Sequence, residues 1–592
     1  MRVLLIHPED ELGGEPWGSL RWERVIDLGR AGAEAYARAA AGFGCSVTTL
    51  SEYRENFREM RRVRDLMALG VGRLSDGFGL DWWELTAILV DQHLEMAFLL
   101  GELAKSFGPQ DEVHVSRPGL EADVLRLTLG RRLQTFSVLG DRQRSGLRRY
   151  VSIFRKFPVS QLVEILWDKT DSGYQIRGSF SSKPKPQPHA VVLMPSSYVN
   201  VSRTAAAYAE TLSETRFLLV VTRQSGWIEN LPPNVTATWL RRYAAVRLPS
   251  REVEFRDLLK RWDGLRDELK AVLEIGTLDE LGYLNQFPKW LERGLEIRDA
   301  WRNVLDSEPV QAVICADDSN PHSHIPMLLA AHRGLPTIVC HHGALDGRYM
   351  FKRNHADVVL AKGAMEKDYL VRLCGVPAEK VEIGAPSLPS HLREEAGSGA
   401  RSCIVFFSEP YEMAGGRARS FYDDILPTLA DMALAQNRIL VVKLHPSESL
   451  SERSRLVEQI LRPERRSVTQ VVGGALQAGL MNHALFGVTV LSTVAVECAL
   501  RGIPCFLCGW LESSHFGYIG QFARFKAGIR LEKPGDLLEI PNILRSYQKA
   551  SAVRENCWTP IEAQRLRELL GFKEQSPEGG ERKYESIAKD LL

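Results

Sequence analysis

Five short apolar runs in this 592-residue chain end in residues that can hold or move charge. Asp317 and Asp318 follow residues 313–315, and His341 and His342 follow 337–340. Glu409 follows 403–407, His445 follows 439–444, and the pair Ser492-Thr493 follows 488–491. If the runs are strands, these residues share the rim where open α/β sheets bind ligands. Helix capping explains one such strand end more easily than five. The hydroxyl pair precedes a helix expected over 494–500 and stopped by Gly502. Hydroxyls and free backbone N–H groups at that junction suit a phosphate, and Glu497, one turn further on, is placed to accept from a ribose.

His445 stands before Pro446 at a strand end, where an imidazole can donate a hydrogen bond or a proton to a leaving diphosphate. Lys443, two residues earlier, adds charge if strand alternation turns it toward the same face. The plainer account of His445 is a turn residue before proline. His342 precedes Gly343, which lets main chain approach a ligand closely, and its imidazole is suited to take a proton from an acceptor hydroxyl. Asp317, Asp318, His322 and His324 have the residue types of a manganese or zinc site, but a proline-broken loop is a weak frame for one. Orientation of sugar hydroxyls, or one aspartate as base, fits them better. The chain has no GxxxxGK[ST] phosphate loop, no GxSxG elbow and no paired CxxC motifs.

In this order, His341-His342-Gly343, Lys443-Leu444-His445-Pro446 and Ser492-Thr493 with Glu497 resemble motifs of GT-B glycosyltransferases of bacterial surface polysaccharide synthesis. That group includes capsule Kdo transferases, sialyl- and polysialyltransferases, and teichoic acid glycerophosphotransferases. The resemblance covers roughly residues 190–540 and implies a GT-B-like pair of Rossmann-like domains, with the nucleotide held mainly by the second. It implies that His445, Ser492 and Thr493 contact donor phosphate and that His342 is the base. Glu409 and Lys443 join the donor side. The acidic motif that carries the base in the sialyltransferases has no close copy beyond residues 317–319 and 345–347. The base is therefore left among His342, Asp317, Asp318 and Asp346.

The elements that must position these residues alternate strand and helix, which argues for parallel sheets. Strands are expected at 2–6, 46–50 and 112–116, with helices at 30–42, 81–107 and 120–129. The polar loop after the first strand has no GxGxxG, and a scaffold fits it better than acceptor binding. Residues 142–156 form a basic amphipathic stretch suited to an anionic membrane surface, or to a connecting helix with its charges in water. Alternating prolines at 181–189 mark a stiff linker. We expect three units: an additional N-terminal α/β domain with its basic connecting helix (1–180), an acceptor-side domain (181–395) and a nucleotide-side domain ending in helices (396–592).

Composition adds limits. Length suggests roughly three or four domains. Seventy-five basic and 74 acidic residues leave a net charge of +1, which gives no drive toward nucleic acid. Nine scattered cysteines suit reduced thiols, with Cys505 and Cys508 in the core. The N-terminus reads as a strand, and no run reaches the length of a membrane span. A cytoplasmic protein is expected, peripheral at the inner membrane if residues 142–156 touch it. The expected function is metal-independent transfer of a sugar from a CMP-, CDP- or UDP-sugar to a glycan or lipid-linked glycan acceptor, without a cofactor. Two rivals are a UDP-sugar 2-epimerase and a non-catalytic polysaccharide-assembly subunit. The epimerase would carry a glycine pair with adjacent glutamates at the helix start near residue 492, which this chain lacks.

Overall fold

The computed structural model describes residues 1–547 and 556–572, apart from 14–16, 18–19, 55–56, 131, 140–186, 224–225, 245–248, 354–355, 389–400, 475, 477 and 513–515. The basic stretch 142–156, most of the proline-rich 181–189 and the polar tail 574–582 lie outside the described residues.

The α/β class is as expected, and the three sheets are wholly parallel. The first holds β1 (Arg2–Ile6), β2 (Arg24–Asp27), β3 (Val47–Thr49), β4 (Glu112–Val115) and β5 (Thr135–Val138), in the order β3-β2-β1-β4-β5. The second holds β6 (Val191–Ser196), β7 (Phe217–Val221), β8 (Val235–Trp239), β9 (Val310–Cys315), β10 (Thr337–Cys340), β11 (Val358–Ala361) and β12 (Val381–Ile383). Its order is β12-β11-β10-β9-β6-β7-β8. The third holds β13 (Cys403–Phe407), β14 (Ile439–Lys443), β15 (Thr469–Val472), β16 (Ala484–Thr489), β17 (Cys505–Cys508) and β18 (Ile529–Leu531), in the order β15-β14-β13-β16-β17-β18. Each unit's first strand lies beside its fourth, the Rossmann-like order, so each sheet opens a crevice between those two strand ends. β6 and β13 are buried along their whole length, as near-continuous apolar runs covered on both faces should be.

The single helix expected over 81–107 is two helices, Trp82–Ala87 and Asp91–Lys105. The Asp81 carboxylate caps the first by accepting from the amides of Trp83 (3.0 Å) and Glu84 (3.2 Å). The break lets both tryptophans turn into the core. Trp83 stacks on Trp262 at 5.9 Å and donates its indole N–H to the Met67 carbonyl. These helices, with Arg58–Ala68, share one core with Pro249–Leu269 and Phe287–Ser307 of the middle unit. Arg298, 2% exposed, joins the two segments through Asp76 (2.9 Å) and Glu254 (2.6 Å). Much of residues 58–105 thus belongs to the helical layer of the second sheet. The segment 556–572 crosses back in the same way: Ala385 donates to Thr559 O (2.7 Å), and Leu566 packs in the middle core.

The crevice of the first sheet is closed by the third unit. Arg417 donates to Asp27 at the end of β2 (2.5 Å), to His7 O (3.0 Å) and to Asp10 O (2.7 Å). Asp27 stands where the acidic residue of dinucleotide-binding units meets a ribose, so an arginine occupies the place of a ligand. A scaffold is the reading this geometry fits. Removing the guanidinium strands a fully buried carboxylate, which costs about 3–5 kcal/mol. Arg417→Met therefore lowers the melting temperature, and adding Asp27→Asn restores much of the loss. Equal melting of single and double variants would show that the pair does not hold the units together.

All nine cysteines are unpaired, and Cys505 and Cys508 are buried in β17. No helix among the described residues is long and apolar enough to cross a membrane.

Candidate active site

Three neighbouring strand ends of the second sheet meet at one cluster. Tyr198 follows β6, Asp317 follows β9 and His342 follows β10. The Tyr198 hydroxyl donates to Asp317 Oδ2 and lies 3.0 Å from His342 Nδ1. The Ser319 amide donates to Asp317 Oδ1 (2.8 Å), while the Ser319 hydroxyl donates to Asp346 (3.1 Å). Lys352, buried after the turn Gly347–Phe351, donates to Asp318 and stands 3.9 Å from Asp346. His324 lies 3.0 Å from the Asp318 carbonyl through Nδ1.

The electrostatics follow from this packing. Burial alone would push the Asp317 carboxyl up, but His341, Lys352 and His342 outweigh it and hold the group well below the ordinary carboxylate range. Asp346 is lowered in the same way, with burial outweighed by His341 and Lys352. Burial, then His341, push the His342 imidazolium down to about 3, so the ring is neutral at neutral pH. Burial and Asp317 keep the Tyr198 phenol protonated.

The turn that carries His342 is held from beneath. The Lys362 ammonium, buried just past β11, donates to the His341 carbonyl and to Gly343 O (2.7 Å). Glu366 accepts from the Lys362 amide (2.6 Å), and its carboxylate lies 3.5 Å from the ammonium. Gly343 has no room for a side chain: a Cβ there would come within 2.9 Å of the His341 ring and 3.7 Å of Thr493 Cγ2. The strand-end loops of the second and third sheets therefore come close here, and the Gly347 amide donates to the Tyr518 hydroxyl (2.9 Å) between the same two units.

On the third sheet, the helix after β16 is Val494–Leu500, as expected, and Gly502 ends it with a positive φ of 65°. Ser492 Oγ accepts weakly from the Val494 amide (3.3 Å), but Thr493 does not cap the helix with its side chain and is exposed. Glu497 is half-buried one turn in. Glu409 lies under this junction, accepting from the Leu491 amide (2.6 Å) and the Thr489 hydroxyl (3.0 Å). Burial pushes its carboxyl up to about 7 against those donors, so Glu409 supports the loop. Lys443 is buried at the end of β14, and its ammonium donates to the strand-end carbonyls Leu444 O (2.7 Å) and Gly474 O (2.6 Å). His445 is exposed at the rim, and its Nδ1 accepts from the Ser447 amide (3.2 Å). That contact leaves the proton on Nε2. β13 separates β14 from β16, so His445 and Ser492 stand two strand spacings apart, roughly 10 Å.

The cluster around His342 and the loop meeting at Thr493 join residues that the sequence had placed on separate strand ends. Tyr198, Lys352 and Lys362 were missed. Tyr198 follows the first strand of its unit, where the crevice rule points. Lys362 is a charge just past an apolar strand. Lys352 has no comparable signal. Asp317, Asp318, His322 and His324 do not form a ligand set, and no group of three or more possible metal ligands converges among the described residues.

No family model and no curated protein matches the chain. Solved structures do align with it at low identity. UDP-GlcNAc 2-epimerase from Methanocaldococcus jannaschii aligns over 65% of this chain and 99% of that one, at 10% identity and a TM-score of 0.40. MurG from Acinetobacter baumannii aligns over 65% and 100%, at 12% identity and a TM-score of 0.38. The wall teichoic acid polymerase TagF aligns over 75% and 100%, at 10% identity and a TM-score of 0.36. At such identities none of them assigns a role to a residue here.

Proposed function

We propose that the protein is a glycosyltransferase of GT-B type, moving a sugar from a CMP-, CDP- or UDP-activated donor to a hydroxyl of a surface-glycan acceptor. The observation that carries this reading is the close approach of two Rossmann-like strand-end loops near Gly343 and Thr493, one bearing a buried acid–base cluster and the other hydroxyls. His342 is the base. Its side chain is 22% exposed, against 7% for Asp317, 3% for Asp318 and 9% for Asp346, and each aspartate is already committed to internal donors. The His342 ring takes the acceptor proton as the acceptor oxygen bonds to the anomeric carbon. The bond from that carbon to the donor phosphate breaks, and its electron pair leaves with the nucleotide. Ser492, Thr493 and His445 Nε2–H stabilise that phosphate, as preorganised donors do at developing charge. Glu497 is assigned to the ribose. The chemistry asks for no metal or cofactor, and the reading places the enzyme in the cytoplasm beside its lipid-linked acceptor.

The test is His445→Ala, whose exposed ring can be removed without disturbing the core. We expect transfer to fall by about 100-fold or more with an unchanged melting temperature. A thermal-shift series over CMP, CDP, UDP and GDP should show stabilisation by the correct nucleotide in the native protein and less in the variant. Full transfer activity in His445→Ala would remove the donor-phosphate assignment.

A further inference from the structure

We propose that His341 donates a hydrogen bond to the donor phosphate from the second unit, so that both units grip the same group. The inference rests on Ser492, Thr493 and His445 holding that phosphate from the third unit. His341 is half-buried between the end of β10 and the base. Its main chain is fixed, because its carbonyl accepts from the buried Lys362 ammonium. Its ring lies 4.4 Å from the His342 ring, tilted by 56°. Asp317 and Asp346 both feel its field, yet neither takes a hydrogen bond from it. Asp317 accepts from Tyr198 and the Ser319 amide, and Asp346 from the Ser319 hydroxyl and the Arg348 amide. Among the described residues, nothing is hydrogen-bonded to the His341 ring.

The two ring nitrogens differ. Nδ1 is buried and has no partner, and Nε2 is not sealed in this way. A hydrogen on Nδ1 would be stranded inside the protein with nothing to accept it. The neutral ring therefore carries its hydrogen on Nε2, and an imidazolium carries one there too. In either state Nε2 is a donor without an acceptor. The space for one lies toward the third unit. A Cβ on Gly343 would come within 2.9 Å of His341 Cε1, the carbon beside Nε2, and within 3.7 Å of Thr493 Cγ2. His341 and Thr493 thus flank one point from opposite sides, and glycine at 343 keeps that point clear. Thr493 is exposed, and its hydroxyl caps nothing. A phosphate has oxygens on several sides, so it can accept from both units at once.

The test is nucleotide binding by the full-length protein, measured by calorimetry over CMP, CDP, UDP and GDP. His341→Asn places an amide near Nδ1 and leaves the Nε2 position empty, while His341→Gln reaches that position with a donor. We expect His341→Asn to bind the preferred nucleotide roughly 10-fold more weakly, at an unchanged melting temperature without ligand. His341→Gln should recover most of that affinity. The ³¹P resonance of the bound nucleotide should also differ between native protein and His341→Asn. Native affinity in His341→Asn, an equal loss in His341→Gln, or an unmoved ³¹P resonance each overturns the proposal. Loss in His445→Ala with native affinity in His341→Asn brings down the His341 contact alone. Native affinity in His445→Ala with loss in His341→Asn instead brings down the His445 assignment. A native protein that binds none of the four nucleotides brings down both.

Discussion

His342→Ala lowers turnover by on the order of 10³-fold while the fold persists, because a positioned general base supplies about 10²–10⁴ of rate. Its ring is partly exposed, and its main contacts are the Tyr198 hydroxyl and the rings of Tyr198 and His341, so truncation costs little packing. The pH dependence has a particular sign. With the imidazolium pushed down to about 3 by burial and His341, the base form survives far below the ordinary histidine range. The unfolded chain takes up the same proton near pH 6.5. Between those values the unfolded state binds more protons, so stability attributable to this ring is full above about 6.5 and falls as pH drops toward 3. Initial rates on freshly diluted enzyme should therefore show no histidine-like acid limb between pH 7 and 5, while the melting temperature declines over that interval. A single limb near pH 6.5 that disappears in the alanine variant would mean that the ring is solvated in the working enzyme.

The second large effect lies under the same turn. Lys362→Met removes an ammonium that serves the carbonyls of His341 and Gly343 and faces Glu366. It leaves a buried carboxylate without its cation and two carbonyls without a donor. Breaking a buried pair from one side costs about 3–5 kcal/mol. Both melting temperature and activity should fall. Adding Glu366→Gln should restore stability, since burial already pushes the Glu366 carboxyl up toward its neutral form. Activity should stay low, because the turn is still without its anchor. Recovery of both together would show that Lys362 acts only through stability.

Much of the scaffold was legible. β1, β10 and β13 and the helix Leu120–Leu129 fall where apolar runs and their stops placed them. Short buried strands of a parallel sheet announce themselves as unbroken apolar runs. The 81–107 helix was misread as one because apolar residues continue across Ile88–Val90, where the chain in fact leaves the helix between Ala87 and Asp91. Lys443 was expected to add charge only if strand alternation favoured it, and its carbonyl partners at Leu444 and Gly474 are main-chain groups that no side-chain pattern reports. Tyr198 and Lys362 gain their roles only once β6, β9, β10 and β11 are neighbours. The return of 556–572 to the middle sheet is made by main-chain hydrogen bonds near Ala385, and no side-chain pattern reports those.

The N-terminal unit grips both jaws of the cleft. Its helices are fused into the core behind the second sheet, while Arg30 exchanges main-chain hydrogen bonds with Gly415 (2.9 Å) and Arg417 (2.8 Å) of the third. The Asp424 carboxylate also takes the Ala33 amide (2.7 Å) and the Trp510 indole (2.9 Å). Two units joined by a single connection can move about it as a hinge. Here a strut spans that hinge, and opening wide would tear it from one end. The spacing of the second and third units is therefore set by the N-terminal one as well as by the chain that joins them.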